Sequence, residues 1–575
     1  MTRIDVKQII SVRPEKLALV IRRYNLGILA VPKFVWSISL LLLISCLLSC
    51  ESKTEYLDKS VFCYNESNGI NSLDPAFSRD IEVMWATNQL FDGLVELDDS
   101  MKVIPCIAHS WEISDDGMTY TFHLRDSVYF HPSPLFTDST HRKVVASDFV
   151  YTFNRLLDKS LASPAVWIFK YVDFKNHRGF EAINDSTLNI YLTQPFQPFI
   201  GILAMQYCNV VPHEVVDHYG PDFRSHPIGT GPFRFAFWYE QVALVFHKFD
   251  HYWMKDEAGI RLPYLDAVKI DFIRDMTVEY QGLLQGTYDF MSGIHPAFKD
   301  ELLTPTGELQ NRFQSQIHFQ RSPFIKTDYM GFQMDEKFEI TRNSPLMNKA
   351  VRQALSMAIN KNELVRYLKN NTVFAAEQGF LPPALNPAGK SKYYSYNPER
   401  ARQLLDSVGF KNEPIDVTIT ASPDYTDLLE FIQHAWEKLG VTTHIQILQG
   451  PALREQSAKG QLAIFRKSWL ADYADAENFL TVFYTPSFCP AGPNYTHFSN
   501  SRYDSLYVLS QRLTDESARN EAYAEMNDIL MEAAPVIPLY YDQVSHFVRN
   551  CIQDFPTNPV NMLDLRRVKK TTDEN

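Results

Sequence analysis

Residues 397–448 constrain the fold more than any other part of this chain. Asn397 and Pro398 open a stretch whose apolar positions Ala401, Leu404, Leu405 and Val408 share one helical face, and Gly409 stops it. Residues 415–420 then alternate as a strand, residues 426–439 return to helical spacing, Gly440 interrupts, and residues 441–448 alternate again. Helix and strand succeeding each other at this interval call for an α/β lobe, because each helix needs a sheet face to cover. At 575 residues the chain exceeds what one hydrophobic core serves, so two or three lobes are expected. Its 45% hydrophobic and 13% aromatic content supplies them and excludes global disorder.

Other patches are readable one at a time. Residues 110–125 alternate on both sides of Asp116-Gly117, the pattern of a β-hairpin. Ser344-Pro345 is expected to cap a helix with the apolar stripe Val351, Ala354, Leu355, Ala358 and Ile359. Gly229-Thr230-Gly231-Pro232-Phe233 reads as a tight turn before a strand, since Pro232 leaves no helix start to cradle a phosphate. No internal repeat or low-complexity linker separates these patches.

The first 50 residues differ from the rest. They hold seven Lys/Arg and two Asp/Glu, and residues 34–50 form an uncharged, mostly apolar tract of 17 residues. A basic segment before an apolar one is the layout of an export signal, and the tract is marginal for a bilayer span. Ser45-Cys46 and Ser49-Cys50 both resemble the bacterial lipobox. Cys50 is the expected lipidation site, because the chain turns polar directly after it; an uncleaved transmembrane anchor is the alternative. Either reading places the body on the periplasmic or cell-surface side of a bacterial membrane.

Charge and motifs exclude several functions. The net charge of −13 becomes −18 once the +5 of the first 50 residues is set aside, which repels a phosphate backbone, so nucleic acid is not an expected partner. Cys63, Cys106, Cys208, Cys489 and Cys551 are far apart, with no C-x-x-C pair for zinc or redox chemistry. His213 and His218 are five residues apart, one too many for the zinc-protease pattern. Residues 384–391 end in Gly-Lys-Ser but begin with Ala384 where a P-loop needs glycine, and no G-x-S-x-G elbow occurs. No cofactor, no metal and no enzymatic activity are expected.

Six patches in order resemble one family. They are Ser72 to Pro75 with Leu90 to Leu94, the hairpin at Ser110 with Phe122 to Arg125, Val144 to Thr152, Gly229 to Phe233, His251-Tyr252-Trp253, and Val351 to Ile359. Together they are similar to the solute-binding lipoproteins of peptide ABC importers, the oligopeptide- and dipeptide-binding type of extracellular solute-binding family 5, over residues 62–547. The resemblance implies an α/β fold: a two-lobed periplasmic-binding-protein clamp of type II with an extra region inserted in the first lobe. Residues 1–50 would be the export signal, residues 51–91, 212–323 and 540–575 the first lobe, residues 92–211 the insertion, and residues 324–539 the second lobe. It implies a monomer that captures peptides in a closing cleft and delivers them to a permease in the inner membrane.

The same resemblance nominates site residues. In residues 466–473, Asp472 matches the carboxylate that meets a peptide's α-ammonium, Arg466 contributes to holding the carboxylate of short peptides, and Trp469 walls the cleft. A strand-end ion pair of Asp472 with Arg466 or Lys467 is the alternative. Arg79, Asp80 and Ile81 are expected to offer backbone groups to an extended peptide. Asp475 and Glu477 are expected to be solvated, and Tyr540 and Tyr541 to lie where the family's last strand passes the cleft, with a core role as the alternative. The chain departs from the family at Leu470, where a cysteine is common, at Ser457, where a basic residue is common, and in the longer loop 131–143. The same scaffold carrying nickel, haem or an oligosaccharide, or a secreted hydrolase, stays open as an alternative.

Overall fold

A computed structural model of the chain describes residues 60–571, apart from 139–141, 387–388, 390–391 and 411–414. Cys46 and Cys50 lie outside the described residues. Among the described residues no helix is long and apolar enough to cross a membrane.

The predicted alternation at 397–448 is present. Helix Pro398–Ser407 starts where the Asn397 side chain accepts the Arg400 N–H at 2.9 Å. Strand Ile415–Ala421 pairs in parallel with Val441–Ile447 through the intervening helix Thr426–Glu437, a right-sized crossover. The hairpin forms as Ala108–Ile113 against Thr119–Leu124, with Gly117 at φ +70° in its turn. One helix start differs from expectation. Ser344 caps only the short 3-10 turn Pro345–Met347, and the helix begins at Lys349, where Asn348 accepts the Ala350 N–H at 2.9 Å.

Two long strands, Ile317–Phe332 and Val536–Arg549, join everything into one eleven-stranded sheet. One half continues through Ile464–Leu470, Ile415–Ala421 and Val441–Ile447, with Phe374–Ala375 pairing on the other side of Val536–Arg549. The other half runs through Phe290–Ser292, Val61–Asn65, Ala267–Asp271, Ala243–Lys248 and Phe233–Tyr239. The two long strands are paired up to Pro323 with Gln543 and again from Thr327 with Tyr541. The interruption between them, around Asp542, lies just beyond the expected boundary at 539/540. Tyr540 packs with Val351, Leu355 and Trp436 in the second lobe's core. Both Tyr540 and Tyr541 are buried.

The inserted region carries its own antiparallel sheet, ordered Ala108–Ile113, Thr119–Leu124, Thr187–Tyr191 and Phe180–Asn184. Its core is continuous with that of the first lobe. Helix Ala146–Leu157 begins where Asp148 accepts the Val145 N–H at 2.8 Å and pairs with Arg142 at 2.6 Å. At the return to the first lobe, Gly231 donates its N–H to the Leu90 carbonyl at 2.9 Å. A side chain at Gly229 or Gly231 would collide with the Leu90 backbone, so the turn needs glycine there.

Candidate ligand-binding site

The site is organised by what strand Ile464–Leu470 lacks. On one edge it pairs along its whole length with residues 326–332. On the other, Ile415–Ala421 reaches only Ile464 and Phe465. The reason is Pro423, which has no N–H to continue a ladder and starts the turn Pro423–Tyr425. Residues 466–470 are thus left with an outer edge that no strand pairs among the described residues.

At one end of that edge lies Asp472. Its N–H donates to Oδ1 of Asn478 at 3.1 Å, and the Asn478 amide donates to Asp472 Oδ2 at 3.2 Å. The Trp469 indole donates to the same Asn478 Oδ1 at 3.0 Å, so one amide orients both predicted residues. Asp472 is exposed although protein crowds much of its surroundings. That crowding raises its pKa, opposed by the Asn478 hydrogen bond and the Arg79 charge.

Arg79 therefore lies near the predicted carboxylate, and so does Tyr207 of the inserted region, which Asp80 also approaches. Tyr207 is 6% exposed, and burial, with Asp472 next, pushes its phenol up to about 12. The backbone at 79–81 is partly committed. Arg79 N–H donates to the Phe77 carbonyl, and the Asp80 carbonyl accepts from Val83 and Met84 at the start of helix Ile81–Leu90. Its unused groups are the Arg79 carbonyl and the Asp80 and Ile81 N–H groups, which have no backbone partner among the described residues.

Around Arg466 lies a cluster of charges that reaches across the neighbouring strand residues 326–328. Arg466 is not paired with Asp472. Its Nε donates to Oδ1 of Asp328 at 2.6 Å, and its guanidinium lies 3.4 Å over the Tyr425 ring. Asp328 is 1% exposed, and burial raises its pKa while Arg466 and Lys326 hold it back. Lys326 pairs with Asp542 at 2.6 Å. Lys369 stands 5.1 Å from the Tyr540 ring with no carboxylate against it among the described residues, and burial lowers its pKa against the pull of Asp328 and Asp542. Three cations face two anions, so the cluster carries one uncompensated positive charge.

Two expectations fail here. Asp475 and Glu477 are not solvated. Asp475 caps the helix Ala476–Leu480 through the Glu477 N–H at 2.9 Å and accepts from the Tyr523 hydroxyl at 2.7 Å. Glu477 is 4% exposed and accepts from the hydroxyls of Tyr473 and Tyr507 and from Gln511 at 3.2 Å. Hydroxyl and amide donors take the place of water around both carboxylates, and Arg519 lies 3.5 Å from Asp475. Leu470 stands where the family's cysteine is common, and no disulfide forms among the described residues.

This geometry can be set beside known proteins. Residues 102–488 match the sequence model of the bacterial extracellular solute-binding proteins, family 5 (middle region). The chain belongs to that family. The di/tripeptide-binding protein 1 of Pseudomonas aeruginosa is 26% identical over 87% of this chain and 92% of its own length. Heme-binding protein A of Haemophilus influenzae is 29% identical over 79% of this chain and 82% of its own. The solved structure of HbpA2 from Haemophilus parasuis superposes with a TM-score of 0.77 at 24% identity, covering 90% of this chain and all of the other. Family 5 membership makes this an extracellular solute-binding protein built as a two-lobed clamp.

Sequence reading missed Asn478, Tyr207, Lys326, Lys369, Asp328 and Tyr425. Asn478 alone had a local signal, six residues after Asp472 in the same polar stretch. The others come from distant segments and meet only in the folded chain.

Proposed function

We propose that this protein captures short peptides in the cleft and delivers them to an ABC permease. The observation that carries this reading is the unpaired edge at residues 466–470, with an open carboxylate just past its end and a cluster holding a surplus cation around Arg466. An extended peptide can add to such an edge through its main chain, with its ammonium at Asp472 and its carboxylate toward Lys369 and the Arg466 pair. Arg79 and Ile81 supply further main-chain groups, and Tyr207 and Trp469 form walls. The similarity to a di/tripeptide-binding protein supports the same ligand class. Closure follows because a ligand touching both lobes favours the state in which both contacts exist.

The body would act as a monomer, without cofactor, anchored on the outer side of the membrane by lipid on Cys50. Native mass spectrometry of the protein purified without refolding tests the ligand class. Co-purifying peptides that a synthetic tripeptide displaces are the expected result. Haem recovered in their place, with its visible absorbance, would move this chain to the ligand named in its haem-binding relative.

A further inference from the structure

Tyr473, the neighbour of Asp472, belongs to the second lobe by sequence but not by packing. Its ring is 7% exposed and sits in the core shared by the first lobe and the inserted region. Trp167, on the 3-10 turn Val166–Phe169 of that region, stacks on it at 6.0 Å with 28° between the planes. A second contact crosses the same seam: the Gln197 N–H donates to the Gln511 carbonyl at 3.1 Å.

Both second-lobe partners in this seam are held by one group. The Glu477 carboxylate accepts from the Tyr473 hydroxyl and from the Gln511 amide, and Tyr507 completes its shell. Glu477 is followed directly by Asn478, whose amide orients the Asp472 carboxylate. A helix of five residues, Ala476–Leu480, thus carries the support of the cleft carboxylate and the support of the seam on adjacent positions. A movement of one is passed to the other through a buried, fully hydrogen-bonded network, which has little freedom to absorb it.

We propose that Glu477 is a positioning residue for the Asp472 loop, and that the contact of Trp167 with Tyr473 is a latch by which the inserted region holds the second lobe over an occupied cleft. The effect on ligand rests on the peptide reading above; the seam itself does not. Ligand leaves only when the latch opens, so residence time is set by residues that touch no ligand.

Two variants of the full chain test this. Trp167→Ala removes the latch from a side chain that is 39% exposed and outside the core. Tyr473→Phe keeps the stacked ring and removes only the hydroxyl that reaches Glu477. In protein without ligand, hydrogen–deuterium exchange of the segment containing Gln197 should quicken about tenfold in Trp167→Ala, while the hairpin at 108–124 is unchanged. Tri-alanine should leave Trp167→Ala about tenfold faster than wild type. In Tyr473→Phe, the preference for tri-alanine over its N-acetyl form should shrink about tenfold, whereas a general loss of stability would weaken both peptides alike. Unchanged exchange at Gln197 in Trp167→Ala overturns the latch, and an unchanged preference in Tyr473→Phe overturns the positioning role. If wild type binds no tri-alanine while Gln197 exchange still responds to Trp167→Ala, the latch stands and the peptide reading falls.

Discussion

Asn478 donates to Oδ2 of Asp472 at 3.2 Å and leaves Oδ1 without a hydrogen-bond partner among the described residues. A carboxylate fixed through one oxygen and open at the other can receive a cation without first losing a partner. That arrangement makes the Asp472 end of the cleft the sharpest place to test.

Asp472→Ala is expected to weaken binding of a peptide with a free amino terminus by roughly 2 to 5 kcal/mol, the usual effect of removing one partner of a desolvated charge pair. The N-acetylated peptide should lose little. Titration calorimetry with both peptides reads this out, and equal binding of the two by wild type would falsify the assignment.

Binding should also depend on pH through the same group. Crowding raises the Asp472 pKa, and only the ionised form pairs with an ammonium. Affinity is therefore complete above the raised pKa and falls as pH drops through it, beginning above the ordinary Asp value of about 3.9. Affinities measured over a descending pH series should show the fall for the free-amine peptide and none for its acetylated form.

Within the charge cluster, Lys369 and Arg466 should behave differently. Lys369→Gln removes the uncompensated charge and is expected to cost a free-carboxylate peptide roughly 1 to 3 kcal/mol while sparing the amidated one. Arg466→Met leaves Asp328 charged and buried without its partner, so it should lower the stability of the protein itself by roughly 3 to 5 kcal/mol. Thermal melts that rank the two variants the other way round would contradict the pairing of Arg466 with Asp328.

Glu66 gives a prediction about stability. Burial, then the nearby Glu82, raises its pKa to about 8. The folded-state value lies above the unfolded one, so wild-type stability declines as pH rises from about 4.5 toward 8 and levels off beyond. Glu66→Gln should raise the melting temperature by a few degrees at pH 8 and leave it unchanged near pH 4. A melting curve series across that range, with no gain for the variant at the alkaline end, would contradict the burial argument.

Local periodicity explains what could be read without a structure. The helix at Asn397, the strands on either side of Gly440 and the hairpin at Gly117 each carry their own caps, stripes and turns within a short window. Asp472, Trp469 and Arg79 could be nominated because they stand in contiguous motifs. Lys326, Lys369 and Tyr425 were not, since their meeting around Arg466 depends on how three separate segments cross. Glu477 shows the converse failure: a charged residue at a helix start looks solvated, and only Tyr507, 30 positions later, reveals why it can be buried.

The strand Val536–Arg549 lies in the interior of the sheet, bonded to Ile317–Phe332, Phe290–Ser292 and Phe374–Ala375. A chain synthesised from its amino terminus delivers this strand after all its neighbours have been made. Until it arrives, Phe290–Ser292 and Ile317–Phe332 each present a bare flank, and neither half of the sheet can close. Maturation of both lobes is thus gated by one late segment. A product cut short before it would display two sticky flanks, the kind of surface on which quality control and aggregation compete.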